Sequence, residues 1–164
     1  MLTNSRLILM VLISSTLLSA TGCTKDNDPE PSLDSEWTIL GKTTNKSSNS
    51  IWENNVLYAI GTEQKRKLSV KFGVKPTTSA ALKLVDYFKT PLAPNEMIIG
   101  IQEDDFFYLS TGTDNITIFP TINTDLNTNI SKVIIKFANV KVGRHNTTFT
   151  LLDVTTATGI LSEK

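Results

Sequence analysis

Apolar and polar residues alternate over most of the chain beyond residue 36, which is the pattern of β-strands with one buried face. The alternation is strictest in Lys67–Phe72, and Val56–Ile60 precedes this segment across a short polar connection, which predicts a β-hairpin. The longest alternating segment is Lys132–Val142, where a change of phase at Asn139 predicts a β-bulge. The pattern therefore predicts an all-β domain.

Turn residues separate further short apolar segments in the rest of the domain. These segments are Met97–Ile101, Phe106–Leu109, Ile116–Phe119, Thr148–Leu152 and Gly159–Leu161. Residues 79–88 fit a helix capped by Ser79 as well as a strand, and the alternation from Leu82 onward favours the strand. A total of about eight or nine short strands predicts an antiparallel β-sandwich or a partly closed barrel.

Residues 1–22 have the three-part arrangement of a secretory signal. A short segment containing Arg6 comes first, the mainly apolar run Leu7–Leu18 follows, and small residues precede Cys23. Hydroxyl residues interrupt the apolar run, which is shorter than the roughly 20 residues of a membrane-spanning helix. Two interpretations of the cleavage after Gly22 are open: an ordinary signal peptidase that leaves a free thiol on Cys23, or processing of a lipoprotein.

The segment Leu18–Cys23 resembles the lipobox of bacterial lipoproteins. The resemblance implies that Cys23, the only cysteine of the chain, carries a diacylglyceryl group and an N-acyl chain, and that cleavage falls between Gly22 and Cys23. A free thiol would be a liability in an oxidising envelope, which favours the lipoprotein. We expect no cofactor other than this covalent lipid.

The polar, acidic and proline-containing segment Thr24–Ser32 predicts an unstructured tether. Its stretch Lys25–Asp28 resembles the export signal of small Bacteroidota surface lipoproteins, in which a β-sandwich follows the tether. This resemblance implies an outer-membrane location facing the cell surface, with membrane lipid as the first partner. We expect a signal peptide at residues 1–22, the lipidated cysteine and tether at 23–36, and one β-sandwich domain at 37–164.

The charge balance excludes some classes of function. Sixteen basic and sixteen acidic residues give a formal net charge of zero, without the basic excess of a nucleic-acid-binding protein. One cysteine and one histidine are too few for an internal disulfide or a common structural zinc site. We therefore expect neither a nucleic-acid partner nor a structural metal.

Acidic and aromatic residues meet at one predicted turn. Glu103, Asp104 and Asp105 lie next to an aromatic segment that contains Tyr108. Two carboxylates held about 5–5.5 Å apart can carry out retaining glycoside hydrolysis. Adjacent carboxylates in a turn instead normally diverge into water, and this solvated turn is the favoured interpretation. A cation site or a ligand surface formed by these acids with Tyr108 is a further alternative.

Trp52 and Tyr58 would form a sugar-stacking platform if they were exposed, although tryptophan in a sandwich normally packs in the core. His145 lies in the short predicted turn Gly143–Asn146, where we expect it to be exposed, and the chain has no Gly-x-Ser-x-Gly nucleophile elbow. We therefore expect a non-catalytic module that binds a glycan or an envelope protein. The alternatives are a glycan-active hydrolase that uses the acids at 103–105 and a structural subunit of an envelope assembly.

Overall fold

A computed structural model describes residues 33–62 and 65–164 of the chain. The predicted signal peptide, Cys23 and most of the tether lie outside the described residues. Within these residues the chain forms twelve β-strands and no helix. The strands are β1 (Ser35–Ile39), β2 (Asn45–Ser47), β3 (Ser50–Glu53), β4 (Val56–Ile60), β5 (Arg66–Phe72), β6 (Leu82–Leu84), β7 (Glu96–Glu103), β8 (Phe106–Ser110), β9 (Thr117–Ile118), β10 (Thr121–Asp125), β11 (Ile130–His145) and β12 (Leu151–Ser162).

The strands form one large, open sheet that folds over a single core. Its main order is β2-β1-β12-β11-β8-β7-β5-β4-β3, with β10 beside β11, the short β6 beside β7, and β9 beside β6. Every strand pair is antiparallel except β6 with β7. Strand β12 also contacts β4 and β5, which are distant from it in the sheet order, so the sheet curves into a sandwich-like arrangement.

The core forms where the alternating apolar side chains of the curved sheet meet. In β5, Leu68, Val70 and Phe72 are buried, as the alternation of this segment predicts. The other large, fully buried side chains come from both ends and the middle of the sheet. They are Trp37, Ile39, Leu57, Met97, Ile99, Ile101, Tyr108, Ile135 and Leu161.

The structure confirms the predicted all-β fold but contains more strands than the eight or nine expected. Strands β2, β3 and β9 are only two to four residues long and show too few alternations to be recognised from the sequence. The ambiguous residues 79–88 contain a strand, β6. The predicted irregularity in β11 is also confirmed, because the register with β12 shifts between Phe137 and Val140 and Asn139 has a positive φ of 52°.

The expected exposed turn at His145 is wrong. Strand β11 continues to His145, which pairs with Leu151 of β12 and is buried. The physical reason is that Gly143, read as a turn residue, lies within the strand. A Cβ atom on Gly143 would come within 2.9 Å of both Leu151 Cδ1 and His145 Cε1, so its absence leaves room for these two side chains.

Candidate functional site

The three acidic residues at 103–105 do not converge. Glu103 is the last residue of β7 and is buried, whereas Asp104 and Asp105 form the exposed turn before β8. The favoured solvated turn is thus correct for the two aspartates and wrong for Glu103. Carboxylates that diverge in this way lack the paired geometry that glycoside hydrolysis requires.

Glu103 instead belongs to a charged cluster at one end of the core. Its Oε2 lies 3.3 Å from Lys42 Nζ, and Arg66 is its cross-strand neighbour in β5. Arg66 in turn donates a hydrogen bond of 3.2 Å to Asn45 Oδ1. Burial by itself would lower the pKa of Lys42, but its contacts with Tyr108 and Glu103 outweigh burial and raise that pKa. The buried carboxylate is therefore compensated by Lys42, which is a structural arrangement.

Tyr108 is not part of a ligand surface. It points to the core side of β8 and is 1% exposed, because it shares a face with its cross-strand neighbour Ile101. Phe107, one residue earlier, points to the opposite face of the sheet. The aromatic segment of β8 is thus divided between the core and the outer face.

Trp52 and Tyr58 lie on opposite faces of the β3–β4 hairpin. Trp52 pairs with Leu57 on the core side, and its half-buried ring lies 5.6 Å from the ring of Phe72. Tyr58 pairs with Ile51 on the outer side, where Lys67 Nζ lies 3.9 Å from its ring centroid. The two aromatic rings cannot form one stacking platform, and Trp52 instead packs against the core, which is the favoured interpretation of the sequence.

The outer face of the sheet carries a cluster of aromatic and apolar side chains. The sequence does not indicate this cluster. We call it the aromatic surface, and it consists of Phe88, Phe107, His145, Phe149 and Leu151. Phe88, Phe149 and Leu151 are 55%, 51% and 55% exposed. The rings of Phe107 and Phe149 stack at 5.2 Å, and Phe88 is edge-on to His145 at 5.7 Å and to Phe149 at 6.3 Å. Grouped exposure of this kind marks interaction sites more often than scattered apolar residues do.

Three adjacent strands position the centre of the aromatic surface. Phe107 of β8 lies opposite His145 of β11, which lies opposite Leu151 of β12. His145 Nδ1 donates a hydrogen bond of 2.8 Å to the carbonyl of Gly143, which fixes its ring in this row. Phe88 comes from the segment after β6, where its N–H donates a hydrogen bond of 2.9 Å to Asp86 Oδ1.

Phe149 is presented by a tightly hydrogen-bonded loop between β11 and β12. The side-chain oxygen of Asn146 accepts hydrogen bonds from the N–H groups of Thr148 at 3.0 Å and Thr150 at 2.9 Å. The Phe149 N–H donates to the Asn146 carbonyl at 3.0 Å, and Phe149 has a φ of +58°. A bulky residue is strained in this left-handed region. Such strain often accompanies functional sites, where the surrounding structure holds it in place.

This strain predicts that glycine is more stable than alanine at position 149, which is the reverse of the usual order within a folded chain. Phe149→Ala and Phe149→Gly both remove the ring, so they differ in how well they tolerate a positive φ. We expect the glycine variant to be more stable by about 1 kcal/mol, because only the alanine variant has a Cβ to strain. Urea unfolding measures both variants. Thr148→Ala and Thr148→Gly are the control pair, in which glycine should be the less stable variant, and equal or alanine-favouring values at position 149 would contradict the prediction.

The aromatic surface borders a strand edge that is open within the part of the chain that the structure describes. Strand β1 pairs with β12 only over Ala157–Ile160, and Leu40 adds one hydrogen bond to the Thr156 carbonyl. The segment Leu151–Thr155, which we call the open edge, therefore pairs only with β11 on its other side. Leu152 and Val154 are about half exposed there.

Comparison with known proteins assigns no relative: no family model, curated protein or solved structure matches the chain. Residues 33–62 and 65–164 contain no group of three His, Cys, Asp or Glu that could hold a metal ion. They also contain no helix long and apolar enough to cross a membrane. The geometry of the aromatic surface and the open edge therefore carries the functional argument.

The sequence contains only a weak signal for these features. Leu151, Leu152 and Val154 break the alternation of one buried face. The break alone does not indicate exposure, because β7 also has apolar residues in both phases and they are buried. Phe88 and Phe149 carry no local signal, because only the fold brings them together.

Proposed function

We propose that the chain is a non-catalytic interaction module of the cell envelope, anchored in the outer membrane through lipid on Cys23 and facing the cell surface. The observation that supports this proposal is the aromatic surface. Its exposed phenylalanines and Leu151 form one group beside an open edge, and grouped exposure of this kind is typical of protein-binding surfaces. The charged cluster around Glu103 is compensated internally, which favours binding over catalysis.

The position of the tether supports an outward-facing role. The tether joins β1 at Ser35. The Ser35 hydroxyl donates a hydrogen bond of 3.4 Å to the carbonyl of Ser162 at the end of β12. The aromatic surface lies at the other end of β12, about 36 Å away at 3.3 Å per residue. An anchor at Cys23 would thus attach the domain through the end of β12 that is opposite the aromatic surface.

A protein partner fits the aromatic surface better than a glycan does. Sugar rings stack on free aromatic faces, whereas Phe107 and Phe149 cover each other and Phe88 meets Phe149 edge-on. A structural subunit of an envelope assembly is the second candidate, because the open edge offers a place for a neighbouring chain to pair. The diverging acids at 103–105 offer no support for the hydrolase.

The mass of the native complex tests the interaction. We expect the full-length protein, extracted from its own membranes in mild detergent, to migrate above the mass of its monomer. The double variant Phe88→Ser/Phe149→Ser should migrate as a monomer, because it removes the exposed centre of the aromatic surface. The control is Phe119→Ser, a more exposed phenylalanine outside that surface. Monomeric migration of the unmodified protein, or unchanged migration of the folded double variant, would count against the proposal.

A further inference from the structure

We propose that the open edge of β12 accepts an extended segment of the partner protein as an added strand, and that this segment has the pattern apolar–basic–apolar. This inference rests on the proposed interaction function and specifies the chemistry of the partner. The backbone of the open edge supplies the hydrogen bonds, and its side chains supply the sequence preference.

The backbone groups of Val154 point away from β11 and into solvent. Thr156 fixes the phase of the strand, because its carbonyl accepts the N–H of Leu40 from the β1 side. Successive residues of a strand direct their N–H and C=O groups to opposite sides, so Val154 directs its groups to the same side as Thr156. Strand β1 no longer pairs at this level, which leaves the N–H and C=O of Val154 available to an incoming strand.

The side chains of the open edge favour apolar and basic residues. Val154 and Leu151 lie opposite Gly143 and His145, so they continue the aromatic surface to the edge. Asp153, between them, is the one charged residue of Leu151–Thr155. It is half exposed and forms an ion pair of 2.7 Å with Arg144. Asp153 would occupy a non-hydrogen-bonded position toward the new strand, where facing side chains come closest, so a lysine or arginine there would be attracted.

Neither the tether nor a second copy of the chain fits this edge. The tether segment Thr24–Ser32 contains three acidic residues and no apolar residue except proline, so it lacks the apolar–basic–apolar pattern. A two-fold pairing with a second copy through Asp153 would place the two Asp153 carboxylates opposite each other, which is destabilising. A two-fold pairing through Val154 would place Leu152 opposite Thr156, whose carbonyl is already bonded to Leu40. A two-fold pairing through Leu152 would place Val154 opposite Thr150, whose N–H and C=O are both bonded to Asn146. A segment of a different protein is therefore the occupant.

Hydrogen exchange of the Val154 amide tests the added strand. The probe is the acetylated, amidated pentapeptide Thr-Val-Lys-Val-Thr, added at saturating concentration to the full-length protein in detergent. We expect exchange at Val154 to slow by at least tenfold, because the peptide carbonyl accepts this N–H. The same peptide with glutamate in place of lysine should bind at least fivefold more weakly. Unchanged exchange at Val154, or equal binding of the two peptides, would overturn the inference.

Two protein variants separate the edge from the aromatic surface. Val154→Pro removes the outward N–H at an edge position, where proline is tolerated, and should weaken peptide binding at least tenfold. Val154→Thr keeps the N–H and should retain binding within about threefold. If a cross-linker at position 149 still captures the partner in the Val154→Pro variant at full yield, the added strand is wrong and the interaction function stands. If the cross-linker at position 149 captures no protein even in the chain with Val154 intact, the proposed interaction function is wrong.

Discussion

Replacing Trp37 with alanine is expected to lower the free energy of unfolding by about 4 kcal/mol. Trp37 is 1% exposed and is the largest of the fully buried side chains. It joins β1 to the core beside Gly159, where a Cβ would come within 2.7 Å of the Phe137 ring and 3.1 Å of Trp37 Cβ. A loss of this size is a large part of the 5–15 kcal/mol that stabilises a typical domain.

The matched control is Trp37→Phe, which keeps most of the buried area. We expect it to cost less than half as much as alanine. Within residues 33–62 and 65–164 the buried indole N–H of Trp37 has no acceptor, so phenylalanine also removes an unsatisfied donor. Urea unfolding followed by fluorescence or circular dichroism measures both variants. An alanine variant as stable as the unmodified protein would show that β1 does not belong to the core.

Replacing Cys23 with serine is expected to move the protein from the membrane fraction to the soluble fraction, or to leave it unprocessed with its signal peptide. The expectation comes from the lipobox resemblance of Leu18–Cys23. Serine has no thiol to accept the diacylglyceryl group, and each methylene lost from the bilayer removes about 0.8 kcal/mol of binding. Two or three acyl chains provide stable anchoring, so their loss should be close to all-or-none.

Fractionation of cells labelled with radioactive palmitate measures this prediction. The unmodified protein should carry the label and sediment with membranes, and the serine variant should carry none. Thr24→Ser, at the next position, is the control and should behave like the unmodified protein. Membrane sedimentation of the serine variant together with an absence of label on the unmodified protein would refute the lipid anchor.

The fold was largely predictable because its longest strands obey a simple alternation. In β5 and β11, residues with the same phase enter the core, and even the bulge at Asn139 appears as a break in the pattern. The short strands are not predictable from the sequence, because two to four residues are too few to show an alternation. The predicted turn at His145 is wrong for a related reason. The local sequence does not distinguish a glycine within a strand, such as Gly143, from a glycine in a turn.

The site was much less predictable because it depends on pairing between distant segments. Glu103 looks like a solvated turn residue until Lys42, which is 61 positions earlier in the chain, comes within 3.3 Å. Trp52 and Tyr58 are close in sequence, but the register of one hairpin places them on opposite faces. Phe88 and Phe149 meet only through the order of the sheet and the loop at Asn146. Local sequence patterns predict the strands, but they do not predict the surface that the strands form together.

The central claim is that the aromatic surface binds a partner protein, and photo-cross-linking from position 149 tests it most directly. Benzoylphenylalanine replaces Phe149 in the full-length protein in its own cells, and the same group at Phe119 is the control. We predict one discrete adduct from position 149, containing a single partner polypeptide in stoichiometric yield, that is absent from position 119. Cross-links from position 149 to lipid alone, or the same adducts from both positions, would contradict the account.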